Sequence, residues 1–163
     1  MSAPTLDLAP VRAAIKTLLE GVDGMGAVND YERFAKAQSD LLTKYGSSAQ
    51  TGQRIYGWFI SERAVREIYL DIGRWIADVD WRLVAYMSLD DADETEKKLA
   101  AQVELVRDAF RDSDDLGLGA GYTQIIPERG NQRGVQVEEL GHVLFAGVLC
   151  HRARCFTTTR IYF

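Results

Sequence analysis

The run Ala77–Met87 alternates almost without interruption: Val79, Trp81, Leu83, Ala85 and Met87 fall on one side of an extended chain, and Asp78, Asp80, Arg82, Val84 and Tyr86 on the other. Successive side chains of a strand point to opposite faces, so this pattern demands a sheet with one face turned to a core. The polar members of the second set predict a face that is mostly wet and open to contacts, as antiparallel sheets permit. The preceding runs Arg54–Ser61 and Ala64–Trp75 are rich in Ile, Tyr, Trp, Phe and Val, so three successive strands are expected here.

Helical spacing appears on both sides of this β region. Leu8, Val11, Ile15, Leu18, Leu19 and Val22 recur at steps of three and four, with Pro10 where a first turn accepts proline and Gly21 where a helix can stop, which predicts a helix from about Pro10 to Glu20. The Gly-rich stretch Val22–Val28 reads as a turn or short strand. Phe34, Ala37, Leu41 and Tyr45 mark a second stripe ended by Gly46, and Ser47–Gln53 reads as a loop. The strongest helix signal lies between Asp90 and Arg111. Leu99, Val103, Val106 and Phe110 form its apolar stripe, Asp90, Asp91, Asp93, Glu94 and Glu96 crowd its start, and Arg107 and Arg111 sit near its end. Each sign suits its end of the helix dipole. A Gly-rich loop, Gly117–Gly121, a short strand at Tyr122–Ile126, a polar turn at Pro127–Gly134 and further β-like runs to Phe163 complete the chain. The predicted fold is a single α+β domain over residues 1–163: a twisted, mainly antiparallel sheet with helices packed on one face.

At 163 residues the chain is long enough to build one core without a metal or disulfide. Neither a signal-peptide pattern nor an apolar run of membrane-spanning length is present, which predicts a protein of the cytoplasm with no membrane partner. A formal net charge of −5 argues against gripping nucleic acid, since phosphate binding needs a basic footprint.

Motifs that could carry chemistry are weak. Gly117-Leu-Gly-Ala-Gly121 leads into a strand rather than a helix, unlike a phosphate-cradling loop. His142, Cys150, His151 and Cys155 are zinc-ligand types, but Cys150 and His151 are strand neighbours, and Cys150 and Cys155 are an odd number of residues apart, so these pairs face opposite ways. The same geometry disfavours a Cys–His nucleophile pair. The acids from Asp90 to Glu96 lack the glycine turn and distal acid of a calcium loop. Paired acids, Asp78 with Asp80 and Glu138 with Glu139, read as solvated charges. No catalytic residue, cofactor or metal is therefore expected. The aromatics Tyr56, Trp58, Phe59, Trp75, Trp81 and Tyr86, with Arg54, Arg63 and Arg74 nearby, suit a core whose surplus faces an oligomer interface, with Trp58, Phe59, Arg63 and Trp75 as its candidates.

The order of these features resembles the small neck and tail-completion proteins of long-tailed bacteriophages, the tail terminator type above all. The resemblance is carried by the opening helix, Val28-Asn-Asp-Tyr-Glu-Arg33, Gly57-Trp58-Phe-Ile60 entering the sheet, and the strand Val79–Met87 leading through Ser88-Leu-Asp-Asp91 into the acidic helix that ends at Phe110. It implies a structural virion protein of the tail or neck, assembled in the host cytoplasm. Such a protein forms a ring, commonly of six subunits, that caps the tail tube, ends tail polymerisation and joins the tail to the head connector protein. DNA would pass through without specific binding, which an acidic chain favours by repulsion. The family has no catalytic residues to carry over. Two alternatives stay open: a head–tail connector or stopper, and a small ligand-binding or enzymatic domain using His142 or His151. Loops Ser47–Gln53 and Pro127–Gly134 are expected to order on docking.

Overall fold

The structure, a computed structural model, describes residues 4–33, 43–47, 54–127 and 130–163. Helix α1 (Ala9–Glu20) has Pro10 in its first turn, where the missing N–H has no intrahelical partner to lose, and it buries Val11, Ile15 and Leu19. Then follow β1 (Ala27–Asn29), β2 (Gly46–Ser47), β3 (Arg54–Asp71), β4 (Arg74–Ser88), α2 (Thr95–Arg111), β5 (Thr123–Ile126), β6 (Gln136–Phe145) and β7 (Val148–Tyr162). The fold is α+β, with one mainly antiparallel sheet in the order β1-β3-β4-β7-β5. The two outer positions are shared: β1 (parallel) and β2 (antiparallel) both lie along β3, and β5 and β6 both lie along β7.

Both helices cover one face. Val11, Ile15 and Leu19 of α1 and Leu99, Val103, Val106 and Phe110 of α2 meet Trp58, Ile60, Val79, Trp81, Leu83 and Ala85 of the sheet in a continuous core. The stripe and the alternating set read from the sequence are therefore the two halves of one contact. Trp81, wholly buried, satisfies its indole by donating to Thr159 Oγ1 at 2.9 Å. Gly26 is required just before β1, because a Cβ there would stand 2.2 Å from the Tyr56 carbonyl oxygen.

Three expectations need correction. The runs Arg54–Ser61 and Ala64–Trp75 are not two strands. β3 passes through Glu62 and Arg63 with a bulge between Glu62 and Ala64, and the real turn is Ile72-Gly73, with Gly73 at φ 79°. A bulge absorbs one extra residue without ending the ladder, so polar residues there did not mark a strand end. The acidic helix begins at Thr95 rather than Asp90. Glu94 sits in the left-handed region at φ 49°, and Thr95 Oγ1 accepts from the Asp90 N–H at 2.9 Å, which makes residues 90–94 a turn.

The third correction concerns the second face of β4. Asp78, Asp80, Val84 and Tyr86 are buried. Residues 43–45 are helical, and Tyr45 joins Ile55, Phe59, Val84, Tyr86 and Cys150 in a second, smaller core on this face. Most of the second predicted helix, residues 34–42, and most of the loop Ser47–Gln53, residues 48–53, lie outside the described residues, as do residues 128–129 of the turn Pro127–Gly134.

Candidate assembly interface

Beyond Phe59, its last residue paired with β1, β3 continues to Asp71 and pairs with β4 to form a hairpin arm. Among the described residues no strand pairs with the outer edge of β3 along this stretch. The arm exposes large apolar side chains among its charges: Val65, Ile68, Tyr69 and Leu70 all show large surface, and Ile72 at the tip is 85% exposed. Tyr69 packs edge-on against Trp75 across the hairpin, with ring centroids 5.0 Å apart, and Arg74 pairs with Asp71 beside the turn. An apolar strand edge in water is a template for pairing or docking, and folded proteins usually blunt such edges.

A second exposed apolar set lies at the opposite side of the sheet. Leu140 and Leu144 of β6 and Leu149 of β7 are exposed, with Leu144 and Leu149 directly opposite one another across the hairpin. Its turn, Ala146-Gly147, has positive φ at both residues (47° and 78°), as a tight two-residue hairpin of this hand requires. By contrast β5 is closed on its outer side, where the Ile125 N–H donates to the Asp114 carbonyl at 2.7 Å.

Charge is concentrated on the sheet face away from α1 and α2. Arg66 holds Asp80 through two bonds at 2.7 and 2.8 Å, and Thr158 Oγ1 donates to the same carboxylate at 2.9 Å. Burial alone would raise the pKa of Asp80. The bonds from Arg66 and Thr158, with the fields of Arg66 and Arg63, outweigh it and hold the carboxyl below its usual range. Arg160 holds Asp78 at 2.7 and 2.9 Å. Arg152 and Arg154 meet Glu139 at 2.6 and 3.2 Å, and Arg154 also lies 3.4 Å from Glu138. The acid pairs read from the sequence as solvated charges are thus parts of an arginine–carboxylate lattice spanning β3, β4, β6 and β7.

Of the four residues expected at an interface, Trp58 and Phe59 offer it nothing: Trp58 is wholly buried in the main core and Phe59 belongs to the smaller one. Arg63 is exposed, with its guanidinium 5.2 Å from the centre of the Phe156 ring, and Trp75 is half-buried on the arm. The aromatic–arginine signal thus divides between the covered inner part of the β3–β4 hairpin, which holds Trp58 and Phe59, and its exposed arm, which holds Arg63 and Trp75. The aliphatic tip, Ile68 to Ile72, was missed because an exposed aliphatic strand reads like a buried one.

The cysteines separate as strand parity demands: Cys150 lies in the smaller core and Cys155 in the main one. Burial pushes their thiols up to about 11 and about 12, so both are neutral and poor nucleophiles at neutral pH. His142 and His151, which sequence spacing did not bring together, are direct cross-strand partners, with ring centroids 6.3 Å apart. His151 Nε2 lies 3.0 Å from Thr95 Oγ1, tying β7 to the start of α2. Among the described residues no group of three or more His, Cys, Asp or Glu is arranged to hold a metal ion, and no helix is long and apolar enough to cross a membrane. No protein-family model matches this chain, and no curated protein is significantly similar to it.

Proposed function

We propose that this chain is a structural assembly subunit of the tail-terminator kind, one that associates with further copies and with a tail tube rather than carrying out chemistry. The observation that supports this reading most directly is the β3–β4 arm. A strand edge with Val65, Ile68, Tyr69, Leu70 and Ile72 exposed is costly in a monomer and is suited to burial against another chain. The order of sequence features resembles that of tail terminators, and the buried, protonated thiols are poorly placed for catalysis. On this reading the subunit belongs to the virion neck, its ring caps the tube and meets the head connector, and DNA passes through without being held.

The test is the mass of the purified 18.2 kDa chain in solution, measured by light scattering over a range of concentrations, with and without tail tubes. A ring-sized species, or one that forms on adding tubes, is expected, and Ile72→Asp with Tyr69→Ser should abolish it while leaving the fold intact. A chain that stays monomeric at every concentration and ignores tubes would overturn the reading. Preparations lacking the protein should yield tails of abnormal length. Normal tails with heads that leak DNA would assign it instead to the stopper position.

A further inference from the structure

The lattice on the open sheet face is balanced except at its centre. Four arginines, Arg66, Arg152, Arg154 and Arg160, meet four carboxylates, Asp78, Asp80, Glu138 and Glu139. Arg82 stands among them in the middle of β4, between Ser61 of β3 and Phe156 of β7. It is only partly exposed, its Nε is buried without a hydrogen-bond partner, and among the described residues nothing pairs with its guanidinium. Arg63 lies over the ring of Phe156, the cross-strand partner of Arg82, so a second cation shares this neighbourhood. A half-desolvated guanidinium next to another cation is unfavourable unless an anion completes it, and a buried donor left unsatisfied in a native sheet calls for a partner.

We propose that Arg82 is the receptor for a carboxylate carried by a second copy of this chain, supplied by the exposed acids at the start of α2: Asp91 in the turn before the helix and Glu96 in its first turn. This deepens the assembly reading and rests on it. The planar fork of a guanidinium takes a carboxylate through two parallel bonds. The chain carries 24 acids against 19 lysines and arginines, so another copy is a ready source of surplus carboxylate. Around the start of α2, Glu94 is held by Lys97 and Asp93 by Lys98, whereas Asp91 and Glu96 are exposed and make no ion pair among the described residues. α2 packs on the face of the sheet opposite Arg82, so one molecule's turn does not serve its own arginine. The contact is therefore between different patches of two copies: made once per pair it is head-to-tail and generates rings when its rotation closes, and made twice it is a closed two-fold dimer, which the mass of the assembly separates.

The experiment exchanges the charges. Arg82→Glu should raise the concentration needed for assembly by about tenfold or more, and so should Asp91→Arg with Glu96→Arg. Combining all three in one chain should restore assembly, and the wild-type contact should weaken as salt is raised. Arg82→Met, which keeps the stem and removes the charge, and the acid-side pair, which lies at the exposed start of α2, read the same contact if Arg82→Glu fails to fold. Assembly that proceeds unchanged in Arg82→Met and in the acid-side pair would overturn the inference while leaving the assembly reading standing. A wild-type chain that never associates would overturn both. Binding of inorganic phosphate or a short DNA duplex that depends on Arg82, with assembly unaffected by the exchange, would show the anion to be a phosphate and also overturn it.

Discussion

The two halves of β3 both carry large apolar side chains but differ in their surroundings. From Ile55 to Ile60 the strand is flanked by β1, β2 and β4 and capped by residues on both faces, and Ile55, Trp58, Phe59 and Ile60 are buried. From Val65 to Leu70 it keeps β4 on one edge, while Val65, Ile68, Tyr69 and Leu70 are open to water. Composition separates the halves only by Arg66 and Glu67 in the second. The difference lies in where α1, α2 and the helical residues 43–45 end: the near half is covered by them and the far half is not.

Substitutions can break this contrast in graded fashion. The largest effect is expected at Trp58, where Trp58→Ala should cost about 3–5 kcal/mol of stability by leaving a cavity in the main core, read by chemical denaturation. Asp80→Asn comes next, at about 2 kcal/mol, because it weakens charge-assisted bonds from Arg66 and Thr158. Ile72→Asp should change stability by no more than about 0.5 kcal/mol, since the tip touches little, yet it should remove association in light scattering. A loss of stability at Ile72 as large as that at Trp58 would mean that the arm belongs to the subunit's own core.

Titration sharpens the comparison further, because the groups with the largest shifts lie in the covered region. Tyr45 and Tyr56 are pushed up to about 12 by burial, and Cys155 likewise to about 12. A raised folded pKa gives stability that is complete below the unfolded value and is lost as pH rises through the folded one. Stability should therefore fall from about pH 8.5–10, where the unfolded groups ionise, towards pH 12. Asp80 has the opposite sign: its depressed pKa gives stability present above about pH 4 and lost as pH falls through the lower folded value. Thermal melts across pH check both limbs, and a flat alkaline limb would contradict the burial of these groups.

Much of the fold was legible because it rests on local period. The stripe Leu99, Val103, Val106, Phe110 and the alternation Val79 to Met87 each name a face, and the structure joins those faces. What was not legible depends on partners distant in sequence. Asp78 and Asp80 looked solvated because their arginines, Arg160 and Arg66, arrive from other strands, and Val84 and Tyr86 are covered by Tyr45, Phe145 and Cys150. The His142–His151 pair depends on a hairpin whose turn, Ala146-Gly147, sat inside a run read as β throughout. Arg82 looked like any polar residue on a wet face. Its lack of a partner is visible only once its neighbours are paired with each other.

The bulge at Arg63 has a consequence for how such an arm can change over generations. Before it, Trp58 and Ile60 point toward the helices. After it, parity is reversed, and Val65 opposite Val79 and Glu67 opposite Ala77 take that direction, while Arg66 reaches the charged side. Lengthening the arm by pairs of residues beyond the bulge preserves every existing partnership, whereas a single insertion or deletion there inverts the side chains beyond it. The bulge thus acts as a joint between differently phased segments, and a second irregularity between Tyr69 and Asp71 adjusts the register again before the turn. The outer segment is free to vary in length while the inner one keeps its core.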